Sequence, residues 1–384
     1  MTNTIKERIE ALEDESLASY AVHSQDSYGR KYNEDVSAIR SDFQRDRDRI
    51  IHSTAFRRLE YKTQVFLNHE GDHYRTRLTH TIEVVQVART IAKVLCLNET
   101  LAEAIALAHD IGHTAFGHAG EDVLDQIMKS YGGFDHNFHG FRIVSLLEKR
   151  YPDFDGLNLT WEVREGFMKH KKTFQRAKAI DSDFNEQCPF LSLEAQVANI
   201  ADEITYDTHD IDDGIRAGLI SMESLSEVPM WSRIANRLKG AVNDKEIWRS
   251  MSLRVLMNEL ITGLIRHSTD RIKKSQVTSV AEVRKWKEPL VSFDDDIEND
   301  RMILKEFLVD NVYNHPKVYQ ITQKAKETLS TLFSIYLHDP QKLPDHVSGE
   351  INKNSKKELY QAICDYIAGM TDRYADKEYR RWGP

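Results

Sequence analysis

The sequence predicts a mainly α-helical fold, and two observations carry that reading. Apolar residues recur at spacings of three and four through several long segments, the signature of an amphipathic helix. Strand patterns are scarce; only 61–76 (YKTQVFLNHEGDHYRT) suits a short β-turn unit, turning at Gly71-Asp72. Residues 79–95 place Ile82, Val85, Ala88, Ile91, Ala92 and Leu95 on one face, and 100–111 do the same with Leu101, Ala104, Ile105, Ala108 and Ile111. A helix over 120–130 ends before Gly132-Gly133, and 151–156 and 181–189 read as loops. The stretch 192–211 carries Leu193, Val197, Ile200, Ala201 and Ile204, opened by Ser192 as cap, with Ala195 where a capping glutamate would stand. The acidic run in 286–301 reads as a solvated loop, and 356–376 as the last long helix.

Composition narrows the function classes. A chain of 384 residues, 40% hydrophobic and 29% charged, with 8 Pro and 17 Gly, is neither collagen-like, low-complexity nor wholly disordered. No run of about 18 apolar residues is free of charge, which excludes a membrane-spanning helix. The first residues lack an apolar signal core, and Cys96, Cys188 and Cys364 are odd in number and far apart; both point to a reduced, cytoplasmic setting. A net charge of −9 argues against a chain built mainly to hold nucleic acid. A local strip of Arg45, Arg47, Arg49, Arg57 and Arg58 nevertheless offers single-stranded DNA an electrostatic site.

The chemistry concentrates in histidines. Nine of the 16 lie between positions 52 and 140, most densely in His109-Asp110-Ile111-Gly112-His113-Thr114-Ala115-Phe116-Gly117-His118-Ala119-Gly120-Glu121. Imidazole and carboxylate are the usual ligands of zinc, iron, manganese and related ions. Two adjacent ligands make a weak site, so others must come from other helices, and His80 and Asp202 are the candidates. Taken singly, each has an ordinary reading: a histidine at a helix start is usually a cap, and a helical aspartate is usually solvated. Asp202, however, sits in an apolar stripe where an unpaired charge is costly, so a metal ion or an arginine must answer it.

The set His80, His109-Asp110 and Asp202 resembles the HD superfamily of metal-dependent phosphohydrolases. The flanks are more specific. Segments 43–66, 75–89, 109–121, 134–144 (FDHNFHGFRIV), 198–214 (ANIADEITYDTHDIDDG) and 364–375 (CDYIAGMTDRYA) resemble the deoxyguanosinetriphosphate triphosphohydrolase family over nearly the whole chain. The resemblance implies an HD-domain helical fold with a helical C-terminal extension. It implies hydrolysis of a deoxynucleoside triphosphate, dGTP among the candidates, to a deoxynucleoside and inorganic triphosphate. It puts one divalent metal ion, Mg, Mn or another transition metal, on His80, His109, Asp110 and Asp202, and proton transfer on His118 and Glu121. Three residues apart on a helix, that pair can face one another.

Gln64 matches a nucleoside contact, Arg77 a phosphate-binding arginine, and His113 and His136 positions lining the phosphate site, with Asn137 standing where some relatives carry an acid. Tyr206 and Asp210, four and eight residues after Asp202, match sugar contacts; the ordinary alternative is that Asp210 is solvated like Asp212 and Asp213. Arg57, Arg58, Arg75, Lys171 and Lys172 are further phosphate candidates, while His69, His73 and His139 read as surface or loop histidines. The chain divides into an N-terminal helical segment, 1–30, a core, 31–220, and a helical C-terminal region, 221–384, although no Pro/Gly/Ser-rich linker marks the last boundary. A homo-oligomer and an activating second dNTP are further expectations of the resemblance. Two readings compete: an HD phosphodiesterase or nucleotidase, and a nucleotide-sensing or single-stranded-DNA-binding protein with little turnover.

Overall fold

The computed structural model describes residues 5–64, 75–182, 184, 191–349 and 355–383. Among them the fold is helical throughout, and pairing between extended segments is confined to two isolated bridges, Arg30 with Thr160 and Thr63 with Thr76. The second bridge closes the ends of the expected β-turn unit, whose turn, with His69 and His73, lies outside the described residues.

Four helices build the centre: α1 (Asp42–Ile51), α2 (Arg77–Val94), α3 (Glu99–Ala108) and, further along, α6 (Leu193–Arg216), which packs on both α2 and α3. Between them in sequence lie α4 (Gly117–Met128) and α5 (His136–Arg142). The C-terminal part adds α7 (Lys245–Ser275), α8 (Asp295–Leu308), α9 (Pro316–His338), α10 (Lys356–Ala368) and α11 (Asp372–Trp382). The starts are written in the sequence as side-chain caps. Thr76 and Thr79 form a reciprocal capping box on α2, Asn98 accepts from Leu101 N–H on α3, and Ser192 accepts from Ala195 N–H on α6. Each such cap contributes about 1 kcal/mol by satisfying a helix N–H that otherwise lacks a partner.

Apolar side chains gather into two cores. The larger joins α1, α2, α3 and α6 to residues 220–312, with Val84, Ile91, Leu101, Val197, Ile204, Leu260 and Leu304 buried in it. The smaller seats α4, through Val123, Leu124 and Met128, on Leu329, Phe333, Ile363 and Ile367 of α9 and α10. Helix α4 therefore rests on the C-terminal helices rather than on its sequence neighbours α2 and α3.

Several details differ from the sequence reading. On α2 the inward stripe is His80, Val84, Val87, Ala88 and Ile91, while Ile82 is 54% exposed; the stripe is set by the helix's contact with α6 and includes a histidine that a hydrophobicity count skips. The acidic run does not stay a loop. Asp294 caps α8, and Asp295, Asp296 and Glu298 occupy its first turn, where acids favour the positive end of the helix dipole. The segment 356–376 is two helices, because Gly369 ends α10 and Thr371 caps α11 by accepting from Tyr374 N–H. His139 is buried within α5, where its Nδ1–H donates to the carbonyl of Gly112 at 3.0 Å. Of the arginine strip, Arg49 is buried and donates to the carbonyls of Leu157 and Asn158, Arg47 meets Asp48, and Arg58, itself exposed like Arg57, donates to the carbonyl of Gly369.

Candidate active site

Four side chains from three stretches of chain meet beside α6. His80 comes from the first turn of α2, His109 and Asp110 from the turn that closes α3, and Asp202 from the third turn of α6. His80 Nε2 lies 3.1 Å from Asp202 Oδ1, and His109 Nε2 lies 3.4 Å from both Asp202 Oδ1 and Asp110 Oδ1. Arg77 Nη1 donates to Asp110 Oδ2 at 2.9 Å, and Lys169 Nζ stands 3.4 Å from Asp202 Oδ2. Lys169 is thus the lysine that reaches this cluster, whereas Lys171 and Lys172 are exposed at the start of the following short helix.

The donor set fits a divalent cation. His109 Nδ1–H donates to the carbonyl of Ala106 at 2.6 Å, which turns Nε2 toward the carboxylates; that atom is buried and has no hydrogen-bond partner. A buried nitrogen between two carboxylates calls for positive charge at that point, either a proton on the ring or a cation in the proton's place. Burial disfavours charge on Asp110, yet the Arg77 guanidinium and His109 hold its carboxyl well below the ordinary range. His109 and Lys169 do the same for Asp202 against its own desolvation. Both acids are therefore anions. His80, His109 and Asp110 offer ligand atoms close enough together to hold one metal ion.

A second group adjoins the first. His113 Nε2 is 3.1 Å from Asp110 Oδ1, and its ring stacks on His136 at 3.8 Å and 15°. Burial, with Arg77 and His136 nearby, keeps His113 far below the usual histidine range and hence neutral. Gly112 permits this stack: a Cβ there would stand 2.0 Å from the His136 carbonyl oxygen. Glu121 serves two imidazoles. Its Oε1 accepts from His136 N–H and lies 2.9 Å from His136 Nδ1, and its Oε2 lies 3.5 Å from Nδ1 of the exposed His118. Burial pushes the Glu121 carboxyl up, but hydrogen bonds from His118 and His136 pull it far below the ordinary range, so it is an anion. His136 is in this respect the closer partner of Glu121.

The wall holding α4 is fixed by residues the sequence reading passed over. Phe116 adopts a left-handed conformation (φ 60°) immediately before α4, a placement costing a non-glycine residue about 1–3 kcal/mol. Asp372, at the start of α11, holds it by accepting from Phe116 N–H at 2.8 Å, and takes both N–H and hydroxyl of Thr63 on its other oxygen. Lys62 is buried beside them, donating to the carbonyls of His113 and Ala368, and burial with Arg58 nearby lowers it to about 7. Gln64 follows directly, buried, with its Oε1 unpartnered.

Further along α6, Tyr206 and Asp210 face Tyr313, which ends an irregular π-helical stretch, Val309–Tyr313. The Tyr313 hydroxyl donates to Asp210 Oδ2, and Asp210 Oδ1 is buried without a partner. Asp210 is not solvated, and neither are its neighbours: Asp212 and Asp213 are buried against Arg75, at 3.0 and 2.8 Å. Arg75 is spent on that pairing. Nothing local in the sequence points to Tyr313 or Asp372, which lie 103 residues from Asp210 and 256 from Phe116.

An all-helical body with paired His and His-Asp ligands on neighbouring helices defines the HD-domain phosphohydrolases. A family model described as HD domain matches residues 77–207, which contain all four converging side chains, and one described as Phosphohydrolase-associated domain matches 291–381, which contain Tyr313 and Asp372. Within that class the chain belongs to the deoxyguanosinetriphosphate triphosphohydrolase-like family. It is 49% identical to the deoxyguanosinetriphosphate triphosphohydrolase-like protein of Ralstonia nicotianae, over 95% of this chain and 94% of that one. With the proteins of the same description from Geobacter sulfurreducens and Geobacter metallireducens the identities are 45% and 44%, covering 98% and 99% of this chain and 97% and 98% of theirs. No helix among the described residues is long and apolar enough to cross a membrane.

Proposed function

We propose that the chain hydrolyses a deoxynucleoside triphosphate to the deoxynucleoside and inorganic triphosphate, using one divalent ion held by His80, His109, Asp110 and Asp202. The observation that carries this reading is the unpartnered Nε2 of His109 among the carboxylates of Asp110 and Asp202, 3.4 Å from each. When bound, the ion supplies Lewis-acid polarisation at the phosphate under attack.

The remaining work falls to side chains. Arg77 fixes Asp110 and brings positive charge to the phosphate side, with Lys169 beside Asp202. His118 is exposed, with Nδ1 toward Glu121, so its Nε2 is free to give a proton to the departing 5′ oxygen. Glu121 orients that ring, and His136, leaning on the same carboxylate, and His113, stacked on His136, line the phosphates. The sugar lies over Tyr206, with the free Oδ1 of Asp210 for its 3′-hydroxyl, and the base lies toward Gln64. A tyrosine ring packed against the sugar leaves little room for a 2′-hydroxyl and so favours deoxy substrates.

The test is product analysis. The purified protein is incubated with each dNTP and NTP in Mg or Mn, and products are separated. Inorganic triphosphate with free deoxynucleoside supports the proposal; nucleoside monophosphate or orthophosphate as the first product refutes it.

A further inference from the structure

An imidazole that gives one nitrogen to a cation carries its proton on the other, and whatever accepts that proton fixes the ring's tautomer and direction. For His109 the acceptor is the carbonyl of Ala106. For His80 it is neither a carbonyl nor a carboxylate. His80 Nδ1 lies 3.2 Å from Nδ1 of His209, with the two rings edge to face at 74°. His209 Nε2 lies in turn 2.6 Å from Glu83 Oε2.

With both rings neutral, one arrangement of protons satisfies this chain. An ionised carboxylate only accepts, so His209 carries its proton on Nε2 and gives it to Glu83. His209 Nδ1 is then a lone pair, and only His80 Nδ1–H can fill it. His80 Nε2 is left unprotonated, on the side facing Asp202. Both links run between the same two helices. Glu83 follows His80 by one turn of α2, and His209 follows Asp202 by two turns of α6. At about 100° per residue, a residue seven positions on falls within about 20° of the first, whereas one eight positions on is about 80° away. His209, not Asp210, therefore shares the stripe of Asp202 and faces α2.

We propose that His209 and Glu83 are positioning residues for the metal ion, acting through His80. Glu83 sets the tautomer of His209, His209 sets that of His80, and the Nε2 lone pair is held ready for the cation. This rests on the metal reading given above. The inner link is buried, since His209 is 2% exposed, whereas Glu83 lies at the rim beside Arg75, at 3.4 Å. A partly exposed carboxylate that touches no ligand thus contributes to metal affinity.

The experiment is a titration of chelator-stripped protein with Mn²⁺, reading the free ion by electron paramagnetic resonance, for the wild type, His209→Phe, His209→Gln and Glu83→Ala. His209→Phe keeps the ring's bulk and removes the acceptor, and it should weaken Mn²⁺ binding about 10–100-fold. His209→Gln restores an oxygen that accepts from His80 Nδ1–H, and it should recover most of that loss. Glu83→Ala should weaken binding by a smaller factor. The melting temperature of the metal-free protein should change less than the increase that Mn²⁺ adds to it. Wild-type affinity in His209→Phe overturns the proposal; if that variant does not fold, wild-type affinity in Glu83→Ala overturns it. A wild type that binds neither Mn²⁺ nor Mg²⁺ refutes the metal reading itself, which is a distinguishable result.

Discussion

Asp372 accepts a hydrogen bond from the backbone N–H of Phe116, 2.8 Å away and 256 residues earlier in the chain. Its other oxygen takes the N–H and hydroxyl of Thr63. One carboxylate on the C-terminal helix α11 thereby fixes both the start of α4, which carries His118 and Glu121, and the segment that carries Gln64. The cluster of His80, His109, Asp110 and Asp202 is built on the larger core, while α4 is seated on the smaller one. The site lies at their seam, and Asp372 ties the seam.

Asp372→Asn must turn an NH₂ group toward one of these N–H donors. Leaving a buried donor without an acceptor costs about 1–3 kcal/mol, and Phe116 loses the contact that holds its strained conformation. We expect a lower melting temperature and kcat reduced about tenfold or more, because small displacements of positioned groups are costly. Metal content by elemental analysis should stay at the wild-type value.

Asp202→Ala should remove bound metal and turnover together. The variant leaves three ligands and deprives the cation site of an anion 3.1 Å from His80 Nε2 and 3.4 Å from His109 Nε2. Elemental analysis and product formation check this. Full metal occupancy with near wild-type rates would contradict the ligand set.

His118→Ala should lower kcat by about 10²–10⁴ with metal retained, the usual contribution of a positioned acid or base. Glu121 supports both His118 and His136, so Glu121→Gln should also lower kcat. Wild-type kcat in Glu121→Gln would remove Glu121 from the proton-transfer pair.

Asp210 gives a pH dependence of stability. Burial, with Asp213 and Asp207 close by, raises it from an ordinary 3.8 to about 8, against the opposing hydrogen bond from Tyr313. A group whose folded pKa is raised stabilises fully below its unfolded pKa and loses that contribution as pH rises through the folded one. The melting temperature at fixed metal should therefore fall between about pH 4 and pH 8 from this source, and Asp210→Asn should flatten that fall. The same variant should raise KM for dNTPs, and the wild type should handle 2′,3′-dideoxy substrates poorly, since Asp210 Oδ1 then meets no 3′-hydroxyl. Equal hydrolysis of deoxy and dideoxy substrates would remove Asp210 from the sugar site.

Gly112→Ala should destabilise the fold by about 1–3 kcal/mol, the usual cost of overpacking. The added Cβ would stand 2.0 Å from the His136 carbonyl oxygen and 2.3 Å from Gly140 N, both backbone atoms of α5 that have no side-chain freedom to move aside. Denaturant unfolding measures the loss, and separating His113 from His136 should lower kcat as well.

Local pattern carried the reading as far as local physics reaches. Helix positions, their caps at Ser192 and the His109-Asp110 turn follow from side chains a few residues apart, so they were legible in the sequence. Errors appeared where distant packing chose between local options. Ile82 fits a hydrophobic stripe, but contact with α6 turned His80 inward instead. His139 is as polar as a surface histidine, yet the Gly112 carbonyl gives it a buried partner. His209 had a usable signal, seven residues after Asp202, that counting in steps of four overlooked.

The sequence by itself determined the helical class and the order along the chain of the residues that converge beside α6, because periodicity and residue chemistry are properties of the chain. Tertiary structure decided which groups meet. Tyr313 on Asp210, Asp372 on Phe116 and Thr63, and Glu83 on His209 are contacts between residues 103, 256, 309 and 126 positions apart. Such pairings depend on how two hydrophobic cores close against each other. Buried donors and acceptors then settle on whatever partner that closure brings within reach, because leaving them unpaired costs more than the bond itself returns.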